Sequence, residues 1–189
     1  MGFGVVARVF RYPLMARHPA PVEALRAEVR RLREGGAGRI GVIGFSAGGH
    51  LAGLAALMPA HHTETVDFAV LGYAITSMET ETYRPARLIL LGEDATNELR
   101  RATTRRAGNQ HVATVLWHTA EDAYVPVVHT YRLAAALAAH EVPHAVHVFT
   151  HGPHSLGLAR GAGGAAAWTQ LAERWIRGQA HISECKEQP

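Results

Sequence analysis

Apolar residues along this chain recur in two rhythms, one of strands and one of helices. Gly2 to Tyr12 carries Val5, Val6, Val9 and Phe10 before Pro13, and reads as a strand. Pro21 stands at a helix start. Val22, Leu25, Val29 and Leu32 then fall at helical spacing, with arginines and glutamates between them, up to Gly35-Gly36. A β-branched run at residues 39–45 predicts a second strand, and the Ala- and Leu-rich stretch 47–58 a helix buried nearly all round. Asp67 to Thr76 is almost continuously apolar, as a buried parallel strand would be. Residues 77–109 are irregular and polar, long enough to hold a short helix or two and to form part of a pocket. Val112 to His118 predicts a strand. Val127 to His140 predicts a helix with Val128, Tyr131, Ala135 and Ala138 on one face. Ala145 to Phe149 predicts a further strand. A glycine-containing loop follows at His151 to Gly164. Ala165 to Arg177 predicts a closing helix with Trp168, Leu171, Ala172 and Trp175 inward. The tail from Gly178 is polar and is expected to fray.

This succession, β-α-β-α-β-(insert)-β-α-β-α, predicts an α/β domain with a mostly parallel sheet of about five strands and helices on both faces. At 189 residues the chain is one domain with a sizeable core, and 48% hydrophobic with 19% charged residues is the balance of an ordinary globular protein. The formal charge of +3 does not change that picture. Arg100, Arg101, Arg105 and Arg106 cluster without aromatic interleaving, so they read as a solvated surface and not as a nucleic-acid footprint. The one cysteine, Cys185, excludes an intrachain disulfide. Met1 to Tyr12 is interrupted by Arg8 and Arg11 and has no leader cleavage pattern. No run approaches the ~20 apolar residues of a membrane span. The expected location is cytoplasmic.

Candidate chemistry centres on Arg39 to Leu51. A β-branched run ends in Gly44-Phe45-Ser46-Ala47-Gly48, and a helix-compatible segment follows. This is the strand, sharp turn, serine, helix order of a nucleophile elbow. Gly44 and Gly48 are expected to relieve crowding around a strained serine. Ser46 would stand at a strand end and a helix start, leaving the Ala47 N–H to donate to a developing oxyanion. A serine nucleophile needs a base, and the base needs an orienting acid. Both should follow, acid before base, in loops after later strands. The loop after residues 112–118 contains Glu121 and Asp122, of which Asp122 is preferred because Val125-Pro126 turns the chain three residues later. The loop after residues 145–149 contains His151 and His154, of which His154 is preferred because Gly152-Pro153 can present it over the sheet edge. His147 alternates within its strand and is expected to pack or face solvent. Phe45 and Tyr73 are candidates for a short acyl pocket, together with residues of 77–109.

Thirteen histidines raise the question of a metal. His61-His62 and His151/His154 are the closest pairs, but no HExxH, CxxC or supporting carboxylate cluster accompanies them, so no metal is expected. The glycine-rich turn lacks a P-loop lysine and a GxGxxG pattern, so no nucleotide cofactor is expected either.

GFSAGGHLA, DFAVLGYAI, LLGEDA, LWHTAEDAYVP and HVFTHGPHSLGLA, with FRYPLMARHPAPVEALRAEVRRLRE upstream, resemble the α/β-hydrolase serine esterases of the acetyl-esterase and acetylxylan-esterase-like group. The likeness runs over roughly residues 3–175. It implies Ser46 as nucleophile, Asp122 as orienting acid, His154 as general base and the Ala47 N–H as half of an oxyanion hole. It also implies cleavage of short acyl esters, including acetyl groups on sugars, without metal or organic cofactor. In that group the strand resembling residues 3–12 is the fourth of eight, and a His-Gly-Gly-Gly-type loop ahead of it supplies the second oxyanion donor. This chain departs there: it is expected to be an N-terminally truncated version of the fold. Strand 3–12 would then either pair with the elbow strand or leave an apolar edge open to association, so a homo-oligomer is a candidate partner beside the small-molecule ester. Two alternatives stand beside the esterase. One is a degenerate, weakly active domain serving as a binding or structural module. The other is a peptidase or thioesterase on the same fold.

Overall fold

The computed structural model of the chain describes residues 6–13, 15–79, 82–102 and 112–186. Four strands make one parallel sheet in the order β1-β2-β3-β4: β1 (Gly41–Phe45), β2 (Phe68–Gly72), β3 (Ala113–Thr119) and β4 (His144–Phe149). Around them lie α1 (Ala20–Glu34), α2 (Ser46–Leu57), α3 (Arg84–Leu91), α4 (Asn97–Ala102), α5 (Val128–Ala139) and α6 (Trp168–Lys186). Ile43, Val70, Val115 and Ala145 stand in register across the sheet, as do Phe45, Gly72, Trp117 and His147.

Alternation along the strands divides the core between the two faces. Val42, Ala69, Leu71 and Leu116 point to one face, where Val22, Leu25 and Val29 of α1, the apolar α2, and Leu133 and Leu137 of α5 cover them. Val70, Val115 and Trp117 point to the other, under Trp168 and Ala172 of α6. Trp117 and Trp168 stack with centroids 4.9 Å apart, and Phe45 and Tyr73 complete an aromatic cluster around them. Gly72 makes room for it: a Cβ there would lie 2.6 Å from Phe45 and 2.6 Å from the Trp117 indole nitrogen.

Four predicted features differ from the structure. Residues 6–12 are not a strand, and residues 2–5 of that prediction lie outside the described residues. Val6 and Val9 are exposed, and only Phe10 and Tyr12 pack on the core, so strand propensity without a ladder partner did not suffice. The sheet therefore has four described strands, not five. Among the described residues no strand pairs with the outer edge of β1, where Ile43 is 58% exposed. β2 ends at Gly72, five residues long, because Tyr73 adopts φ +35° and turns the chain out of the ladder. The inner face of α5 is His129, Thr130, Leu133 and Leu137, and Tyr131 is exposed. Two polar residues lie inward because buried hydrogen-bond partners await them, as described below. Finally, α6 continues through the predicted tail to Lys186, since one interior glycine at 178 costs only about 1 kcal/mol relative to alanine. The segment 77–102 does hold two helices, α3 and α4. Residues 103–109, with Arg105 and Arg106, lie outside the described residues.

Candidate active site

The site begins at the junction of β1 and α2. Ser46 has φ +52°, a left-handed conformation that a non-glycine residue adopts only under the constraint of its surroundings. Two glycines permit it. A Cβ on Gly44 would lie 2.2 Å from the Gly48 carbonyl oxygen, and one on Gly49 would lie 2.6 Å from the Ala74 Cβ. The predicted partner of Gly44, Gly48, has open space where its Cβ would be. The tight approaches are thus of Gly44 to the Gly48–Gly49 peptide and of Gly49 to Ala74, where α2 crosses the end of β1 and the chain after β2. The Ile75 N–H donates to the Ser46 carbonyl at 3.3 Å and ties that crossing together. Gly44→Ala is therefore expected to destabilise the fold by about 1–3 kcal/mol through overpacking. Gly48→Ala should leave it unchanged or stabilise it by up to about 1 kcal/mol through helix propensity. Thermal unfolding of the two variants separates these outcomes, and equal losses would contradict this assignment.

Ser46 Oγ lies 2.8 Å from His154 Nε2, and His154 Nδ1 lies 2.6 Å from Asp122 Oδ2. The carboxylate only accepts, so Nδ1 carries the hydrogen and Nε2 is free to accept from the serine hydroxyl. Asp122 Oδ1 in turn accepts from the backbone N–H groups of Tyr124 and Val125, each at 2.9 Å. Burial alone would push the Asp122 carboxyl up. Hydrogen bonds from His118, the Val125 N–H, His154 and the Tyr124 N–H outweigh it and hold the group well below the usual carboxylate range. The side chain is buried and ionised, aimed at the imidazole.

The loop after β4 is shaped to deliver His154. Gly152 has φ +139°, and a Cβ there would meet Leu156 and Thr119 at about 3 Å. The Thr119 hydroxyl donates to the Gly152 carbonyl at 2.8 Å. The alternative acid and base find each other instead: His151 Nδ1 donates to Glu121 Oε1 at 2.8 Å on the exposed rim, and Glu121 Oε2 accepts from the Gly152 N–H. His154 rests edge-on against Tyr73, centroids 4.9 Å apart. The Tyr73 hydroxyl accepts from the Gly157 N–H at 2.9 Å, and burial is the leading cause that pushes this phenol up.

Ala47 is the second residue of α2, so its N–H has no carbonyl to meet within the helix. Beside it opens a cavity of about 590 Å³, lined by Ser46, Ala47, His50, Leu51 and Leu54 on one side and by Met78, Ile89 and Leu90 on the other. Phe45 and Tyr73 are not in its wall: both lie in the aromatic cluster beneath the elbow. Apolar wall residues come instead from α2 and α3, from Met78, and from Phe10, Tyr12 and Val22 on the N-terminal side. Sequence reasoning also passed over His118, fully buried at the end of β3 with Nε2 3.4 Å from Asp122 Oδ2. A histidine closing an otherwise apolar buried strand was the available signal.

Comparison with known proteins identifies the family and the fold. A family model described as the prolyl oligopeptidase family matches residues 27–181, a span that contains the whole sheet together with Ser46, Asp122 and His154. The curated endo-1,4-beta-xylanase B of Butyrivibrio fibrisolvens is 27% identical over 160 residues, 75% of this chain; the chain spans 25% of that relative's length. Among solved structures, an acetyl ester-xyloside bifunctional hydrolase from Caldicellulosiruptor lactoaceticus is 32% identical with a TM-score of 0.79, covering 87% of this chain and 67% of that one. A carboxylesterase from Lactobacillus plantarum is 25% identical with a TM-score of 0.65, covering 86% and 69%. With most of its length matched, the chain belongs to the prolyl oligopeptidase family and has the α/β-hydrolase fold.

Proposed function

We propose that this chain is a serine ester hydrolase acting on short acyl esters, acetyl esters of sugars among them. The observation that carries the proposal is the hydrogen-bonded series Ser46 Oγ, His154, Asp122, at 2.8 and 2.6 Å, on an elbow strained to φ +52°. His154 takes the Ser46 proton as Oγ attacks the ester carbonyl. Asp122 holds the ring in the accepting tautomer and stabilises the imidazolium. The Ala47 N–H faces the developing oxyanion. The alcohol leaves with the proton from His154, and water repeats the cycle on the acyl-enzyme.

Two features support an acyl pocket on one side and a sugar-sized alcohol on the other. The cavity is lined by Ser46 and Ala47 and not by His154, which supports reading it as the acyl side, with Tyr83 at its border. On the His154 side stands Tyr124, 58% exposed, its ring 5.7 Å from the imidazole and edge-on to Tyr83 at 5.6 Å. Exposed tyrosines offer an apolar face and a polar tip to a pyranose. Two solved relatives carry esterase or acetyl-ester names, which favours ester over peptide cleavage. The family's name keeps peptidase chemistry as a second reading. Hydrolysis of p-nitrophenyl acetate without cleavage of proline-containing peptides is expected; the reverse would favour the peptidase.

The cavity exceeds what an acetyl group fills. p-Nitrophenyl butyrate should therefore match or exceed the acetate in kcat/KM, each buried methylene contributing up to about 0.8 kcal/mol. The dodecanoate should be roughly tenfold slower or worse, once the chain outgrows the cavity. A maximum at the long chain would reject the short-acyl assignment.

A further inference from the structure

His118 is fully buried at the end of β3, yet it takes no part in the series from Ser46 to Asp122. Both ring nitrogens are engaged. Nε2 lies 2.9 Å from the Val125 carbonyl oxygen and 3.4 Å from Asp122 Oδ2. Nδ1 lies 2.7 Å from Thr130 Oγ1, in the first turn of α5. A carbonyl only accepts, so Nε2 carries the hydrogen. In the neutral ring Nδ1 must then accept, and the Thr130 hydroxyl donates to it. The Nε2–H thus donates to the Val125 carbonyl and lies within 3.4 Å of Asp122 Oδ2, the same oxygen that accepts from His154.

We infer that His118 and Thr130 are positioning residues: Thr130 holds His118 in one tautomer, and His118 holds Asp122 Oδ2 in the place from which it aims His154 at Ser46. The inference rests on the esterase reading of the site. The other tautomer would turn a nitrogen lone pair toward the Val125 carbonyl and the carboxylate, two acceptors with nothing to share, so the Thr130 hydroxyl decides which form the pocket holds. A donor at Oδ2 also tempers the negative charge that His154 meets. The titratable groups facing Asp122 are His118 from β3, His154 from the loop after β4 and Tyr73 from the end of β2. From α5, Thr130 faces His118, while His129 faces Thr76, whose N–H lies 3.2 Å from its Nδ1. This buried pairing also explains why α5 turns two polar residues inward.

The test is the pH profile of kcat/KM for p-nitrophenyl acetate in Thr130→Val, Thr130→Ser and His118→Phe, with active sites titrated by a fluorophosphonate so that only folded enzyme is counted. Thr130→Val should lower kcat per titrated site by roughly 3- to 10-fold, the weight of one lost hydrogen bond, with KM nearly unchanged. The acid limb should move to higher pH by about half a unit, because an untempered Oδ2 favours the protonated imidazole. His118→Phe should show the same shift with a larger loss, and Thr130→Ser should restore the wild-type rate and profile. A Thr130→Val enzyme that melts earlier but keeps its rate and acid limb would overturn the inference, as would a serine variant no better than valine. Ser46→Ala assayed alongside separates the two claims: full activity there removes the reading of Ser46 as the nucleophile, on which the inference rests.

Discussion

Ser46→Ala is expected to lower kcat for p-nitrophenyl acetate by roughly 10⁶-fold, leaving only the residual rate that binding and oxyanion stabilisation supply. The size of the effect follows from how little else the substitution touches. Alanine at φ +52° is no more strained than serine, and the close approach of Gly44 to the Gly48–Gly49 peptide that holds the elbow is backbone packing, independent of Oγ. The lost contact is the 2.8 Å hydrogen bond to His154, so stability should change by no more than about 1.5 kcal/mol. His154 and Asp122 would remain in place with nothing to activate. A variant that retained even a tenth of the wild-type rate would mean that another group attacks the ester.

Asp122→Asn should lower kcat by about 10⁴-fold while leaving the loop folded. An asparagine oxygen can still accept from the Tyr124 and Val125 N–H groups, which keeps the turn. Its amide nitrogen would then face His154 Nδ1 as a donor. That forces the ring into the tautomer with hydrogen on Nε2, the nitrogen that must take the serine proton. The same substitution should alter acid stability, and the sign follows from the carboxylate's environment. In the folded chain the Asp122 carboxyl lies below the usual range; in the unfolded chain it titrates near about 3.9. The folded state therefore gains stability from this group at pH values above about 4, and loses it as pH falls toward the folded-state value. Thermal unfolding between about pH 2.5 and 7 should show a shallower acid decline in Asp122→Asn than in the wild type. Parallel curves would contradict the ionised, hydrogen-bonded carboxylate described above.

Much of this arrangement was legible in the chain because it is carried by local pattern. The β-branched run before Gly44 and the small residues after Ser46 predict strand, turn and helix from neighbours alone. Asp122 and His154 were legible from their place after apolar strands, and the structure brings both within hydrogen-bond distance of the series that begins at Ser46. What escaped depends on contacts distant in sequence. Val6 and Val9 have strand propensity, but propensity does not provide a neighbouring strand to bond with. Gly48 and Gly49 are indistinguishable as letters; only the passage of Ala74 beside α2 decides which one must lack a Cβ. Phe45 and Tyr73 were candidates for the acyl pocket, whereas they stack on each other in the space that Gly72 leaves beneath the elbow. The inner face of α5 was misread because His129 and Thr130 count as polar, and their buried partners, Thr76 and His118, lie on other elements.

One chemical claim is central, that Ser46 is a nucleophile activated by His154. Mass analysis of the chain after reaction with a fluorophosphonate, followed by peptide mapping, tests it most directly. The account predicts one label per chain, on Ser46, abolished in Ser46→Ala and strongly slowed in His154→Ala. An enzyme that hydrolyses p-nitrophenyl acetate but takes no label, or takes it on another residue, would contradict it.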